Sequence, residues 1–302
     1  VNPSSRFHSL GWEAEERINE ARLFISTFLG ASPSELVFTS GSSEGIKMVY
    51  NHFFWNKQVH IVTNKTEHKM TLLGAETLQN RDWKVTYLSV DSSGKLNFEE
   101  EVKNLPKDDD YLFVIMLGNN EIGTIHELTE IVKIIRRNFL NAYILTDATQ
   151  AVTKIPIDFQ SMDVDFLVFS AHKFHGPKGA GLLYINENVH IKPYIHGGGQ
   201  ERNMRAGTEN VYGIVGFAKA LQIATEKLEE ESAHIQGIKY YMIEQLKKQI
   251  KGISFNGDPM GRSNYTVLNV SFPKSEKSEM LLMNLDMEGI CASGGSACTS
   301  GA

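Results

Sequence analysis

Short apolar runs recur along the chain: LVFT at 36–39, HIVT at 60–63, KVTYLSV at 84–90, YLFVIML at 111–117, AYILT at 142–146, DFLVFS at 165–170 and GLLYI at 181–185. Each has the length of a strand, and their nearly continuous apolar character predicts strands covered on both faces. Helical patterns lie around and between them. Residues 12–29 place Ile18, Ala21, Ile25 and Phe28 on one face, and further helical patterns occupy 127–138 and about 211–250. The alternation predicts an α/β fold built on a mostly parallel, doubly covered sheet. Such sheets bind ligands beyond the carboxyl ends of their strands, where polar residues follow apolar runs. Four runs end in that way: LVFT in SGSSEG, YLFVIML in GNNEIG, AYILT in DATQ and DFLVFS in AHK. Residues 1–250 are expected to form this large domain. A smaller α+β domain is expected to start at 251 and run to 302, with a strand in TVLNVSF and a helix in SEMLLMNLDMEG.

Composition narrows the function classes. Of 302 residues, 41% are hydrophobic and 22% charged, the balance of a soluble globular protein. A formal charge of −6 argues against a nucleic-acid or anionic-membrane partner, either of which asks for a basic face. The longest apolar runs fall far short of a bilayer span. The only cysteines, Cys291 and Cys298, both sit in the closing stretch CASGGSACTSGA. Two cysteines make no disulfide framework, and no CxxC or His/Cys cluster points to a metal, so a reducing, cytoplasmic compartment is expected. The opening, VNPSSRFHSLGW, reads like the interior of a longer protein.

The chemistry concentrates in DFLVFSAHKFHGPKGAG, residues 165–181, where a strand delivers Ser170, His172 and Lys173 to its end. An isolated lysine is ordinarily a surface residue. One held against a buried strand end is instead a usable amine for a Schiff base. A pyridoxal phosphate site also needs a carboxylate for the ring nitrogen; Asp147 is a candidate, although Asp before ATQ, taken alone, better suits a helix N-cap. The phosphate needs backbone N–H groups and hydroxyls, and TSGSSEG at 39–45 offers Ser42 and Ser43 ahead of a possible helix. This segment is neither a dinucleotide fingerprint nor a Walker loop. His68, in TEHKM, has a place over the cofactor ring or an ordinary polar role.

Taken in order, TSGSSEG, TEHKM, NNEIGT, TDATQ, FSAHKFHGPKGAG, HGGGQERNMRAGTEN and GGSACTSGA resemble the cysteine desulfurases, homodimeric pyridoxal-phosphate enzymes of the class V aminotransferase group. The resemblance runs from residue 2 to the end and implies the type I fold of such enzymes, with a seven-stranded sheet in the large domain. It is to the members with the longer SGSACTS cysteine loop. It implies that Lys173 is the Schiff-base lysine, Asp147 the partner of the ring nitrogen and His68 the residue stacked on the ring. Asn120 and Gln150 would hold the phenolic-oxygen side. Ser42, Ser43, Ser170 and His172 belong to the phosphate region, with Thr208 supplied by the neighbouring subunit. Where many relatives read Ala-Thr this chain has Ser42-Ser43, which keeps the second hydroxyl.

Cys298 matches the catalytic cysteine. The implied reaction converts L-cysteine to L-alanine through an aldimine of the cofactor, leaving a persulfide on Cys298 for an iron–sulfur scaffold or another sulfur acceptor. Selenocysteine lysis, β-elimination from a cysteine derivative, and an inactive cofactor-retaining sulfur-transfer platform are the alternatives. Relatives continue beyond the cysteine loop with an arginine that clamps the substrate carboxylate, so the sequence is read as a piece of a longer chain. Cys291, seven residues before Cys298, is expected to be a small buried hydrophobe.

Overall fold

The computed structural model describes residues 2–5, 7–275 and 278–295. Helix α1 (Ser9–Leu29) precedes strand β1 (Leu36–Thr39), and α2 (Ser42–Asn56), β2 (His60–Asn64), α3 (Lys69–Gln79) and β3 (Val85–Leu88) follow. The chain continues through α4 (Phe98–Val102), β4 (Tyr111–Val114), α5 (Leu128–Asn138), β5 (Ala142–Asp147), β6 (Phe166–Ser170) and β7 (Gly181–Ile185). Then come α6 (Val211–Glu226), α7 (Leu228–Gln249), β8 (Ser254–Asn256), β9 (Asn269–Ser271) and α8 (Leu281–Met287).

All seven apolar runs are strands of one sheet, ordered β1-β7-β6-β5-β4-β2-β3. The pairs among β2 to β6 are parallel, whereas β7 runs antiparallel to both β1 and β6. Two cores explain why these strands are apolar on both sides. Phe113, Ile144 and Leu167 enter the core beneath α1, α5 and α6, while their neighbours Leu112, Leu145 and Val168 enter the one beneath α2 and α3. Alternate side chains of a strand point to opposite faces, so two apolar layers require unbroken apolar runs. Amphipathic helices close the sandwich. On α5, Leu128, Ile131, Val132 and Ile135 are buried at helical spacing, each contributing roughly 1.5–3 kcal/mol of burial.

The expected long helix at 211–250 is two helices broken at Lys227, whose φ of −100° and ψ of 0° leave the helical region. Glu229, Glu230 and Glu231 form the first turn of α7, where acidic side chains complement the dipole of a newly started helix. Beyond α7, β8 and β9 form a separate two-stranded antiparallel sheet, with the strand in TVLNVSF confined to Asn269–Ser271. This segment is tied back to the large sheet. Asn264 N donates to Gly123 O at 2.7 Å and Asn264 Nδ2 to Gln150 O at 2.8 Å, while buried Lys239 of α7 donates to Asn264 O at 2.9 Å. Cys291 is exposed, contrary to the buried hydrophobe expected from sequence. It follows α8, none of whose residues is buried among the described residues.

The edge strand β1 is bound along its outer side by side chains. Arg22 Nη1 and Arg202 Nη2 donate to Leu36 O, and Phe38 N donates to Glu201 Oε2 at 2.9 Å. Leu36 N is taken by Pro33 O. Arg22 and Glu201 form a buried two-pronged pair, with N···O distances of 3.1 and 2.5 Å. Among the described residues no helix is long and apolar enough to cross a membrane, and no cluster of three or more His, Cys, Asp or Glu side chains is arranged to hold a metal.

Candidate active site

The carboxyl ends of β1, β2, β4, β5 and β6 open onto one cavity of about 410 Å³. Its wall contains Ser42, Ser43, His68, Asn120, Asp147, Gln150, Ser170, His172 and Lys173, nine of the eleven residues singled out in the sequence. A larger cleft of about 530 Å³ beside Phe159 and Tyr184 has no lysine or histidine among the described residues of its wall. Thr208 is exposed and lies outside the cavity wall, and Cys298 lies outside the described residues.

Each wall residue owes its position to a local device. Ser170 ends β6, and its buried Oγ accepts from Ser42 N at 2.8 Å and lies 3.0 Å from Ser42 Oγ. The bond brings the start of α2 against the strand end. Gly181 is needed for that approach, because a Cβ there would meet Gly41 Cα at 2.4 Å. Gly41 gives α2 no side-chain cap of its own, Ser170 Oγ takes the first N–H, and the N-terminus of this helix lines the cavity. Lys173 rides on a short 3₁₀ turn, Ala171–Phe174, ended by His175 at φ 65°. His172 lies beside it, and burial, followed by the charges of Lys173, Lys178 and Lys154, lowers its pKa.

Asp147 terminates β5, buried, with Oδ1 accepting from Thr149 N at 2.9 Å. It caps a turn rather than a helix, since residues 149–154 form successive turns. His68 is the N-cap of α3, and its Nδ1 accepts from Met70 N at 3.2 Å. A neutral ring then carries its proton on Nε2. Asn119 shapes the turn bearing Asn120: its Oδ1 accepts from Glu121 N and Ile122 N, each at 2.8 Å, and its Nδ2 donates to Thr66 O at 2.7 Å.

Several residues were not legible as site components. Met116, Gly118, Thr149, Ser293 and Gly295 complete parts of the wall. Ser293 and Gly295 belong to CASGG, so the stretch leading towards Cys298 runs along the cavity. Glu44 also lines it and pairs with Arg205, Nε to Oε1 at 2.8 Å. Burial tends to raise the Glu44 carboxyl, but bonds from Arg205 and Ser40 outweigh it and hold the pKa below the usual value. Behind His68, Glu67 is buried and accepts from Met116 N at 2.6 Å and Asn64 Nδ2 at 2.8 Å. Burial above all, with Asp147 close by, pushes its carboxyl well above the ordinary range. Glu67 thus joins β2 to β4 beneath the site. Its position in TEHKM gave no hint of burial.

The donor set suits pyridoxal phosphate. A buried carboxylate meets the need of a protonated ring nitrogen, while the helix N-terminus with Ser42, Ser43 and Ser170 meets that of a phosphate. Lys173 adds a primary amine. Among the described residues buried Thr149 Oγ1 has no hydrogen-bond partner, which leaves it available to a bound group. The volume is that of a small-molecule site.

A model of the aminotransferase class-V family matches residues 1–302. The chain is 41% identical over 303 residues to the cysteine desulfurase IscS of Dictyoglomus turgidum, covering 99% of this chain and 75% of that relative. Among solved structures it resembles a NifS-like protein, with a TM-score of 0.91 and 38% identity, covering 97% of this chain and 80% of the other. It also resembles SspA solved in complex with cysteine, with a TM-score of 0.82, 30% identity and 99% and 82% coverage. The chain therefore belongs to the aminotransferase class-V family. Within that family it is a pyridoxal-phosphate-dependent enzyme of the cysteine desulfurase type.

Proposed function

We propose that this protein takes sulfur from L-cysteine, releases L-alanine and hands the sulfur on from a persulfide at Cys298. The observation that carries this reading is the convergence of Lys173, Asp147, His68 and Ser170 on one cavity whose wall includes the approach to Cys298. Bound pyridoxal phosphate would supply an electron sink for the charge left when the substrate loses its α-proton. Asp147 would accept a hydrogen bond from the protonated ring nitrogen, and the start of α2 with Ser42, Ser43, Ser170 and His172 would receive the phosphate. Asn120 and Gln150 would face the phenolic oxygen. Lys173 Nζ would anchor the cofactor and, once released, take the α-proton of bound cysteine.

His68, stacked on the ring, would hold a proton at Nε2 close to the substrate thiol. The Cys298 thiolate attacks the substrate sulfur: an S–S bond forms, the C–S bond breaks, and the carbon left behind takes a proton to become alanine. Cys298 is three residues beyond Gly295, which lines the cavity. The structure of SspA with cysteine supports cysteine as the substrate class.

Thr208 is exposed and away from the cavity of its own chain, in keeping with a homodimer in which it completes the partner's phosphate site. The segment from 251 on is read as the start of a smaller domain, and the acceptor as an iron–sulfur scaffold or another sulfur carrier in the cytoplasm. The experiment is direct. Protein purified with pyridoxal phosphate should absorb visible light, Lys173→Ala should lose that absorbance, and Cys298→Ser should keep it while alanine release from cysteine drops roughly a hundredfold or more. A colourless wild type would sink the proposal.

A further inference from the structure

After Asp147 the chain turns repeatedly, and these turns bring Lys154 back onto Gln150. Lys154 Nζ donates to Gln150 Oε1. Gln150 lines the cavity and Lys154 does not, so the lysine stands behind the amide. The glutamine main chain is also fixed. Its carbonyl accepts from Asn264 Nδ2 at 2.8 Å, and it lies so close to Gly118 that a Cβ there would come within 3.2 Å of the same oxygen. The turn is held against local preference, since Thr153 has φ 62°, a left-handed conformation unfavourable for a β-branched residue.

A side-chain amide has nearly the same shape with its oxygen and nitrogen exchanged, so only its hydrogen bonds decide which end faces a ligand. An ammonium is a donor only. It can hold the oxygen, and it thereby turns the amide nitrogen the other way. We infer that Lys154 is a positioning residue for the reaction: it fixes the Gln150 amide so that Nε2, a donor, faces the side of the cavity where the anionic ring oxygen of pyridoxal phosphate is held. This inference rests on the reading of the site given above. Burial, with the charge of Lys173 adding to it, lowers the Lys154 pKa to about 8, the mark of an ammonium that folding would sooner do without.

The test compares purified wild type, Lys154→Met, Lys154→Arg, Gln150→Ala and the Lys154→Met/Gln150→Ala double variant. Release of pyridoxal phosphate to an excess of a scavenging apoenzyme is followed by visible absorbance, and the cofactor-free proteins are melted. Lys154→Met should release the cofactor about fivefold faster, the equivalent of one ordinary hydrogen bond. Lys154→Arg, still a donor, should stay within about twofold of wild type. On the Gln150→Ala background, Lys154→Met should add nothing. The cofactor-free Lys154→Met protein should melt no lower than wild type. Unchanged release in Lys154→Met, effects that simply multiply in the double variant, or a lowered melting temperature without cofactor would each overturn the inference. Wild type that takes up no pyridoxal phosphate would overturn the reading of the site as well.

Discussion

Replacing Glu201 by alanine removes one carboxylate and leaves three donors without it: Arg22 Nη1, Arg22 Nη2 and the main-chain N–H of Phe38. Arg22 and Glu201 are only 8% and 6% exposed, so the pair is largely shielded from water even though both residues also line a surface cleft. The arginine keeps its bond to Leu36 O and its place over the Phe38 ring, 4.6 Å from the centroid. Its charge, however, becomes uncompensated. Breaking a buried pair from one side costs about 3–5 kcal/mol. At roughly 2 °C per kcal/mol for a chain of this size, the apparent melting temperature should fall by ~6–10 °C. Removing both partners in Arg22→Met/Glu201→Ala should recover part of the loss, because the desolvated charge disappears, leaving mainly the orphaned Phe38 N–H at about 1–3 kcal/mol. Urea and thermal melts of wild type, single and double variants decide the matter. A single variant that loses under about 1 kcal/mol, or a double variant less stable than the single, would refute the reasoning.

Two further outcomes concern strain and pH. Thr153→Gly removes a left-handed β-branched residue, a strain of about 1–3 kcal/mol, against an entropy cost of roughly 0.5–1 for glycine. The variant should therefore melt higher by a net gain of about 1 kcal/mol, and a lower melting temperature would contradict the assignment of strain. Burial lowers the His126 pKa from 6.5 to about 4. Between those values the unfolded chain binds the proton more readily, so the contribution is intact above pH 6.5 and is lost as the pH falls towards 4. The loss amounts to about 3 kcal/mol over that window, and urea melts of wild type and His126→Gln at pH 7 and 4.5 should show the steeper acid loss in wild type.

The sequence exposed what depends on local pattern. Seven apolar runs became seven strands because burial on both faces leaves an unbroken hydrophobic signature, and nine candidate residues met because polar side chains following such runs gather at one edge. Strand order and the reversed direction of β7 left no mark in GLLYI itself. The break at Lys227 was equally hidden, since neither glycine nor proline announces it. Cys291 was misjudged because its burial depends on what packs against α8, not on the residue type. The pairing of Arg22 with Glu201 spans 179 positions, and nothing local in HGGGQERN foretells that its glutamate is buried. Lys154 and Gln150 are four residues apart, a helical spacing, yet it is a chain of turns that joins them.

The side chains along β1 have a consequence for solubility. An outer strand with free N–H and C=O groups is a template on which another chain can assemble. Here the Leu36 N–H and C=O and the Phe38 N–H are spent on Pro33, Arg22, Arg202 and Glu201. A neighbouring strand would pass the same pattern outward to the next molecule, but side chains end it. The species prone to aggregate is thus not the folded protein but one in which the 200–205 segment has lifted away, which makes this small polar lock a guard against sheet growth as much as a fastening of the fold.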